Sequence, residues 1–249
     1  MRIIAEGIKY NEGEIKIFGK DLSKEVLTLI GYSPQENISY ELLTVEENLK
    51  FYADLYNIPY ERVEELINIF KLPKDKKAKD LSGGYKKRLN LAISLIHNPK
   101  ILILDEPSTG LDVSSRKELW NLLKELRDEG KTIILSTHHI EEAEGIIDRV
   151  GIINNGKIVA VGSVKELKKL VGVKNVIEVE GVLNGLDKLS FEITVKENLA
   201  KVYVDDVNES LPKIVETLTK YNSKIRHLYI KEVTLEDAFL KIVGECNEN

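Results

Sequence analysis

The sequence has little of what marks secreted, disulfide-linked or membrane-spanning proteins. Its 249 residues include one cysteine, Cys246, which excludes an internal disulfide framework and favours a reducing compartment. The longest apolar stretches, such as ILILD at 101–105 and TIILS at 132–136, are far shorter than the roughly 20 residues that span a bilayer. The start also lacks the basic, apolar and small-residue regions of a secretion signal. These absences predict a cytoplasmic location.

A strong basic character is also missing. The net charge is −5 and the isoelectric point is near 5.6, whereas proteins that bind a nucleic-acid backbone concentrate Lys and Arg on one face. Nucleic acid is therefore not an expected partner. With 43% hydrophobic and 31% charged residues, the chain suits one large soluble domain or two modest ones.

Strands and helices alternate over the first two thirds of the chain. The predicted strands lie at 14–18, 30–35, 101–105 and 132–136. The predicted helices begin at Thr44, cover 60–71, start through Ser82 and stop before Pro99, and cover 113–128. The stretch at 101–105 is too apolar for a half-exposed strand and favours a sheet that is covered on both faces. This alternation predicts an α/β fold with a parallel sheet.

The sequence pattern changes after a capping box formed by Ser163 and Glu166. From about 174 onward the pattern predicts strands at 175–181, 191–195, 200–206 and 224–230, and helices at 209–221 and 234–244. This segment contains few convergent polar residues of catalytic type. It predicts a small α+β appendage with a structural or regulatory role.

The first chemical signal is the acidic pair in ILILDEP. An apolar strand delivers Asp105 and Glu106 to the carboxyl-terminal edge of a parallel sheet, where ligands of such sheets bind. Asp105 suits a Mg²⁺ ion, which proteins hold through one or two carboxylates plus phosphate oxygens. Glu106 suits a general base that activates water. An acidic loop without a chemical role is the alternative.

The second signal is LSGGY at 81–85, which places a serine and two glycines at the start of a helix. Glycines let the backbone approach a ligand closely, and a helix N-terminus presents unpaired N–H groups to an anion. The alternative is a serine N-cap with a flexible lead-in. The position of this segment, before a helix that runs into ILILDEP, favours the functional interpretation. His138, in LSTHH at 135–139, ends the next strand, where a hydrogen bond to a transferring phosphate is the sharper hypothesis.

Taken in order, GYSPQ, LSGGYKKRL, ILILDEPSTGLD and LSTHH resemble the ABC-transporter ATPase family, as its Q-loop, signature, Walker B, D-loop and switch histidine. The resemblance covers residues 1–162 and implies a P-loop-NTPase-type parallel sheet with a helical signature subdomain at about 36–98. Residues 163–249 would form an α+β accessory domain. LTVEENLKFYADLYNIP and TLEDAFLKIVG resemble the ATP-binding subunits of two-component exporters of drug, lipid or natural-product type.

The resemblance also implies roles for single residues, with ATP and Mg²⁺ as cofactors. Asp105 would hold Mg²⁺, and Gln35 would touch both Mg²⁺ and the attacking water. Glu106 would be the general base, and His138 would contact the γ-phosphate.

Other implied roles concern partners. Ser82, Gly83 and Gly84 would bind the γ-phosphate of ATP held by a second ABC cassette, in a homodimer or heterodimer, and Asp112 would communicate across that dimer. The helix at 44–56 would meet an integral-membrane permease encoded as a separate chain. The protein would then be peripheral on the inner face of the cell membrane.

One family element is missing from these 249 residues. The glycine-rich loop that ends in Lys and Ser or Thr cradles the ATP phosphates, and Lys20 in FGKDL lacks both its upstream glycine and its hydroxyl residue. In the family, a helix such as MRIIAEG follows this loop directly. We therefore expect the chain to lack its first strands, with roughly 40 upstream codons that encode a strand and this loop.

Three hypotheses remain. The first is an ATPase subunit that energises an exporter by ATP-driven dimerisation, and the second is a catalytically silent partner that lends its signature motif to an intact cassette. The third, an ABC protein acting in DNA repair or on ribosomes, is disfavoured because the sequence has no long coiled-coil insertion and no second cassette. We favour the first, because a silent subunit should retain the strands that complete its sheet. Whether the chain is itself an active enzyme stays open.

Overall fold

The computed structural model describes residues 1–170, 172 and 174–247. The chain divides into two compact units, with the division between Ile146 and Ile147. The domain boundary between 162 and 163 stays a prediction. Residues 171, 173, 248 and 249 of the predicted appendage lie outside the described residues.

The first unit contains most of the predicted alternation. Its helices are α1 (Arg2–Glu6), α2 (Lys24–Leu27), α3 (Val45–Tyr56), α4 (Glu61–Ile69), α5 (Gly83–Ser94), α6 (Val113–Asp128) and α7 (Ile140–Glu144). Its strands are β1 (Lys16–Ile17), β2 (Lys20–Asp21), β3 (Ile30–Ser33), β4 (Ile101–Asp105) and β5 (Thr132–Ser136). β1 is shorter than predicted at both ends; it stops at Ile17 because Phe18 and Gly19 have φ angles of 50° and 76° and turn the chain into β2.

The strands β3, β4 and β5 form a parallel sheet with β4 in the centre, as the sequence predicts. Leu102, Ile103 and Leu104 of β4 are fully buried, which explains the continuous apolar run. In the described chain β5 pairs on one side only, and Ile134 is 40% exposed there. The parallel register places Asp105 beside Ser136 at the carboxyl-terminal edge.

Two buried asparagines hold the irregular segment that follows Gln35. Asn90 of α5 accepts a hydrogen bond from the Ile38 N–H at 3.3 Å and donates to the Glu36 carbonyl at 3.2 Å. Asn48 of α3 accepts from the Tyr40 N–H at 2.7 Å and donates back to the Tyr40 carbonyl at 3.0 Å. Because both side chains are fully buried, these bonds are shielded from competing water and fix the path of residues 36–40.

The start of α3 also confirms its predicted capping box. The Thr44 hydroxyl accepts from the Glu47 N–H at 3.1 Å, while the Glu47 carboxylate accepts from the Thr44 N–H at 2.8 Å. The helix ends at Asn57, which has φ 53° and ψ 45°, a left-handed conformation common at helix C-termini.

The second unit is built around an antiparallel sheet. Its strands are β6 (Val150–Asn154), β7 (Lys157–Gly162), β8 (Asn175–Val182), β9 (Glu192–Lys196), β10 (Leu199–Val204) and β11 (Lys224–Lys231), and its helices are α8 (Val164–Leu170), α9 (Val207–Lys220) and α10 (Leu235–Asn247). The sheet has the order β11-β8-β10-β9, and β6 pairs with β7 alone.

The core of the second unit lies between this sheet and α9. Ile177, Val179 and Val202 of the sheet pack with Ile214 and Leu218 of α9, and all five are fully buried. The alternation of buried and partly exposed residues along β8 and β10 is typical of a sheet with one covered face. No helix within the described ranges is long and apolar enough to cross a bilayer.

Candidate nucleotide-binding and hydrolysis site

The acidic pair lies where the sequence predicts it, at the end of β4. The Ser136 hydroxyl donates to Asp105 Oδ1 at 2.6 Å and accepts from the Glu106 N–H at 3.1 Å. Glu106 has φ 48°, a left-handed conformation that is rare for a residue with a side chain and often marks functional sites. The Ser136 hydroxyl therefore fixes both the first carboxylate and the peptide of the second.

His138 contacts the second carboxylate directly. His138 Nδ1 lies 2.8 Å from Glu106 Oε2, and the Thr109 hydroxyl donates to the same oxygen at 3.3 Å. The Glu106 side chain is 22% exposed and the His138 side chain 60% exposed. Glu106 is thus held by neighbours on one side and remains open to water on the other, an arrangement that suits a general base.

A magnesium ion fits the acidic pair only if a ligand completes its coordination. The described residues contain no cluster of three or more His, Cys, Asp or Glu that could hold a metal alone. Mg²⁺ does not need such a cluster, since it usually binds one or two carboxylates together with substrate phosphates and water. Asp105 Oδ1 is occupied by Ser136, which leaves Oδ2 for an ion.

A cleft of about 370 Å³ lies between the predicted Q-loop and the signature segment; its lining includes Gln35, Gly83, Lys86, Lys87, Thr109 and Gly110. Lys87 Nζ donates to the Gln35 carbonyl at 2.8 Å. Burial lowers the pKa of the Lys87 ammonium, and the charges of Asp105 and Glu106 partly oppose that decrease. Lys87 therefore donates to the Gln35 backbone while its ammonium group interacts electrostatically with Asp105 and Glu106.

The signature segment begins α5 with an unused hydroxyl. Ser82 is the N-cap residue of α5, but its side chain makes no capping hydrogen bond, and both Ser82 and Gly83 are exposed. Ser82 therefore occupies the N-cap position that the alternative interpretation predicts, but its side chain does not cap the helix. The hydroxyl and the first N–H groups of α5 are oriented so that an external anion could bind them.

The D-loop residue Asp112 meets the signature segment at Ser115. Asp112 caps α6, because its Oδ1 accepts from the Ser115 N–H at 2.9 Å and its Oδ2 accepts from the Ser115 hydroxyl at 2.8 Å. These bonds, the backbone one first, lower the pKa of the Asp112 carboxyl. A Cβ at Gly84 would lie 2.8 Å from Ser115 Oγ, so glycine permits this close approach.

The predicted residues fall into three adjoining groups. Asp105, Glu106 and His138 form one hydrogen-bonded network, Gln35 and Gly83 line the cleft, and Gly84 and Asp112 meet at Ser115. Four residues that contact these groups were not predicted from the sequence: Thr109, Lys87, Ser115 and Ser136. Only Ser136 had a usable signal, because it ends the strand that follows ILILD in the chain.

The chain is also similar to known proteins. Residues 1–109 match the family model of the ABC transporter, and residues 162–243 match that of the "ATP-binding protein DrrA1-3-like, C-terminal domain". A solved structure of an ATP-binding cassette, a dimer in a post-hydrolysis state bound to ADP and Pi, has a TM-score of 0.58 and 28% identity, and the match covers 65% of this chain and 78% of that one. The fold is that of an ABC ATP-binding subunit.

Two relatives narrow the assignment. The linearmycin resistance ATP-binding protein LnrL of Bacillus subtilis is 30% identical over 95% of this chain and 82% of its own length. ABC transporter A family member 12 of Arabidopsis thaliana is 37% identical over 94% of this chain, which spans only 28% of that plant protein. The chain belongs to the ATP-binding proteins of the ABC transporter family, with a DrrA-like C-terminal domain and homologues of the drug-exporter type.

Proposed function

We propose that the chain binds and hydrolyses ATP with Mg²⁺, and that ATP-driven pairing with a second cassette energises a membrane exporter. The observation that carries this proposal is the network of Asp105, Glu106, Ser136 and His138 at the sheet edge. In it, Glu106 would activate water, Asp105 and Gln35 would hold Mg²⁺, and His138 would contact the γ-phosphate.

The signature segment supports the pairing part of the proposal. Ser82 and Gly83 expose a hydroxyl and helix N–H groups that no described residue uses for capping, and an anion from another chain would satisfy them. We propose that this anion is the γ-phosphate of ATP held by the partner cassette.

An exposed aromatic surface supports the membrane partner. Tyr40, Phe51 and Tyr52 form edge-to-face and tilted ring pairs, with Tyr40 and Phe51 centroids 4.9 Å apart. Leu55 nearby on α3 is 62% exposed. Clustered exposed apolar side chains favour a docking surface, and we propose that it receives a cytoplasmic helix of a permease. The protein would then lie on the inner face of the cell membrane, with residues 163–249 as an accessory domain.

The second candidate function is a silent partner that contributes only its signature segment. It is favoured by the exposed Ser82 and Gly83, whose side chain and N–H groups take no part in capping within the described residues. In that case Ser82 and Gly83 would matter to ATP turnover and Glu106 would not.

ATP hydrolysis by mixtures of this chain with an intact ABC cassette separates the two functions. Under the first proposal, Glu106→Gln in this chain lowers the turnover of the mixture about twofold, because one of the two composite sites loses its base. Under the second, Ser82→Arg lowers turnover and Glu106→Gln does not. Matched controls are Glu129→Gln and Ser190→Arg, which change exposed residues outside the site. Turnover unchanged by all of these variants, and by the addition of the chain itself, contradicts both functions.

A further inference from the structure

Side chains of α6 contact α7, the short helix that follows His138, in its middle and just beyond its end. At the middle residue of α7, Glu142 Oε2 accepts from the Trp120 indole N–H at 3.0 Å, and Glu142 Oε1 lies 2.7 Å from Arg116 Nη1. Just beyond its end, the Arg127 guanidinium donates to the Ile146 carbonyl. Both oxygens of Glu142 are thus bonded to residues of α6.

α7 needs such anchors because it has only five residues. A helix of this length has no independent stability in water, and within α7 only Ala143 is buried. The Glu142 contact is also well shielded: Trp120 is 6% exposed, and the side chains of Arg116 and Glu142 are 24% and 32% exposed. Charge-assisted hydrogen bonds in such surroundings are the stronger kind.

Arg116 depends on the same carboxylate. Its Nε is buried and has no hydrogen-bond partner in the described part of the chain, so Glu142 is the acceptor that balances the guanidinium charge. Removal of Glu142 would leave a partly buried cation without its partner, which is a costly state. The contact therefore constrains α6 as well as α7.

His138 precedes α7 by one residue. The His138 and His139 rings lie 4.1 Å apart, and the His139 N–H donates to the Thr137 hydroxyl at 2.9 Å, so little free chain separates the imidazole from the helix. The 2.8 Å contact between His138 and Glu106 consequently requires α7 to stay where α6 holds it.

We infer that Glu142 is a positioning residue: by clamping α7 to α6 through Trp120 and Arg116, it holds the His138 imidazole against Glu106. The inference rests on the proposed function only in that His138 and Glu106 are its candidate catalytic pair. The same contacts connect His138 to α6, the helix that the D-loop residue Asp112 caps.

The test uses Glu142→Ala in the full 249-residue chain without nucleotide. We expect the amides of 138–143 to exchange roughly tenfold faster and the emission of Trp120, the only tryptophan, to shift to the red. We also expect the His138 ring nitrogen signals to move toward those of a Glu106→Gln chain, in which the contact is broken directly. Four histidines make that assignment tractable by nuclear magnetic resonance.

The matched control is Glu141→Ala, which removes the same charge from an exposed position of the same helix. It should leave exchange, emission and the His138 signals unchanged. If Glu142→Ala does not fold, Glu142→Gln decides, because it keeps an acceptor for the indole and loses the charge that faces Arg116; a smaller change in the same direction is expected. His138 signals that stay as in the unaltered chain overturn the inference, whatever the ATP turnover assay shows, since no nucleotide is involved.

Discussion

Replacement of the buried Asn48 should destabilise the first unit by an amount that depends on the replacing side chain. In Asn48→Ala, the Tyr40 N–H loses its acceptor at 2.7 Å. The three carbonyls that Asn48 serves each keep another donor: Leu43 N–H for Tyr40, Ala78 N–H for Leu43 and Asn48 N–H for Thr44. One backbone donor, the Tyr40 N–H that faces the buried position 48, is therefore left without its acceptor.

The magnitude follows from that count. A buried unsatisfied donor costs about 1–3 kcal/mol, and truncation of a fully buried side chain adds a small cavity term, so Asn48→Ala should lower the free energy of unfolding by about 2–4 kcal/mol. Asn48→Asp keeps the acceptor for Tyr40 but turns a carboxylate oxygen toward carbonyl oxygens now 2.9–3.3 Å away. This buried, unpaired charge should cost more than the alanine, about 3–5 kcal/mol at neutral pH.

Urea unfolding followed by Trp120 fluorescence measures this directly, because the only tryptophan lies in the first unit. Asn68 is exposed on the adjacent α4, so Asn68→Ala and Asn68→Asp are matched controls that should stay within about 0.5 kcal/mol. The reasoning would be refuted if Asn48→Asp lowered the free energy of unfolding no more than Asn48→Ala does. It would also be refuted if Asn48→Ala changed that free energy no more than its control Asn68→Ala does.

Two further predictions use the same fluorescence assay. Burial lowers the pKa of His97, whose Nε2 lies 3.1 Å from the Ile30 carbonyl. The unfolded chain therefore takes up a proton before the folded one does, so the free energy of unfolding should be highest above about pH 6.5 and should decline as the pH falls. The His97→Gln chain should lack this part of the decline. Equal pH slopes of the free energy of unfolding in the two chains would contradict the prediction. Gly84→Ala should lower the free energy of unfolding by about 1–3 kcal/mol, because its Cβ would lie 2.8 Å from Ser115 Oγ. Gly83→Ala should be tolerated, because the nearest contact of its Cβ would be at 3.5 Å. Equal effects of the two substitutions would show that the Ser115 side chain moves aside without cost.

Local signals explain why most of the fold was predictable. β4 is an unbroken apolar run that ends in two carboxylates, and α3 begins with a capping box that the structure reproduces bond for bond. β1 is predicted as five residues and has two; its early end at Ile17 could not be predicted, because the left-handed Phe18 has no sequence signature. In α9 the prediction started at 209, whereas Asp206 caps a helix that begins at Val207. Such boundaries depend on single capping bonds.

The candidate site shows a sharper division. Asp105, Glu106 and His138 were found because each follows an apolar strand at the same sheet edge. Ser136 and Glu142, which hold them, are ordinary residues whose importance depends on partners 31 and 22 positions away in the chain. Spacing along the sequence cannot reveal that pairing, because it is created by the parallel register of β4 and β5 and by the packing of α6 against α7.

The geometry of Asp112 also changes how communication with a second cassette should work. The family resemblance implies that Asp112 communicates across a dimer of cassettes, and both of its carboxylate oxygens are bonded to Ser115 within the same chain. A partner that contacted this carboxylate directly would have to compete with the cap of α6. A partner that pressed on the Gly83–Gly84 backbone would instead act on Ser115 through the close contact at Gly84. Ser115 lies on α6, and Arg116 and Trp120 of the same helix contact Glu142. We therefore expect any signal between the signature segment and His138 to travel along α6, with Asp112 as the cap that keeps this helix intact.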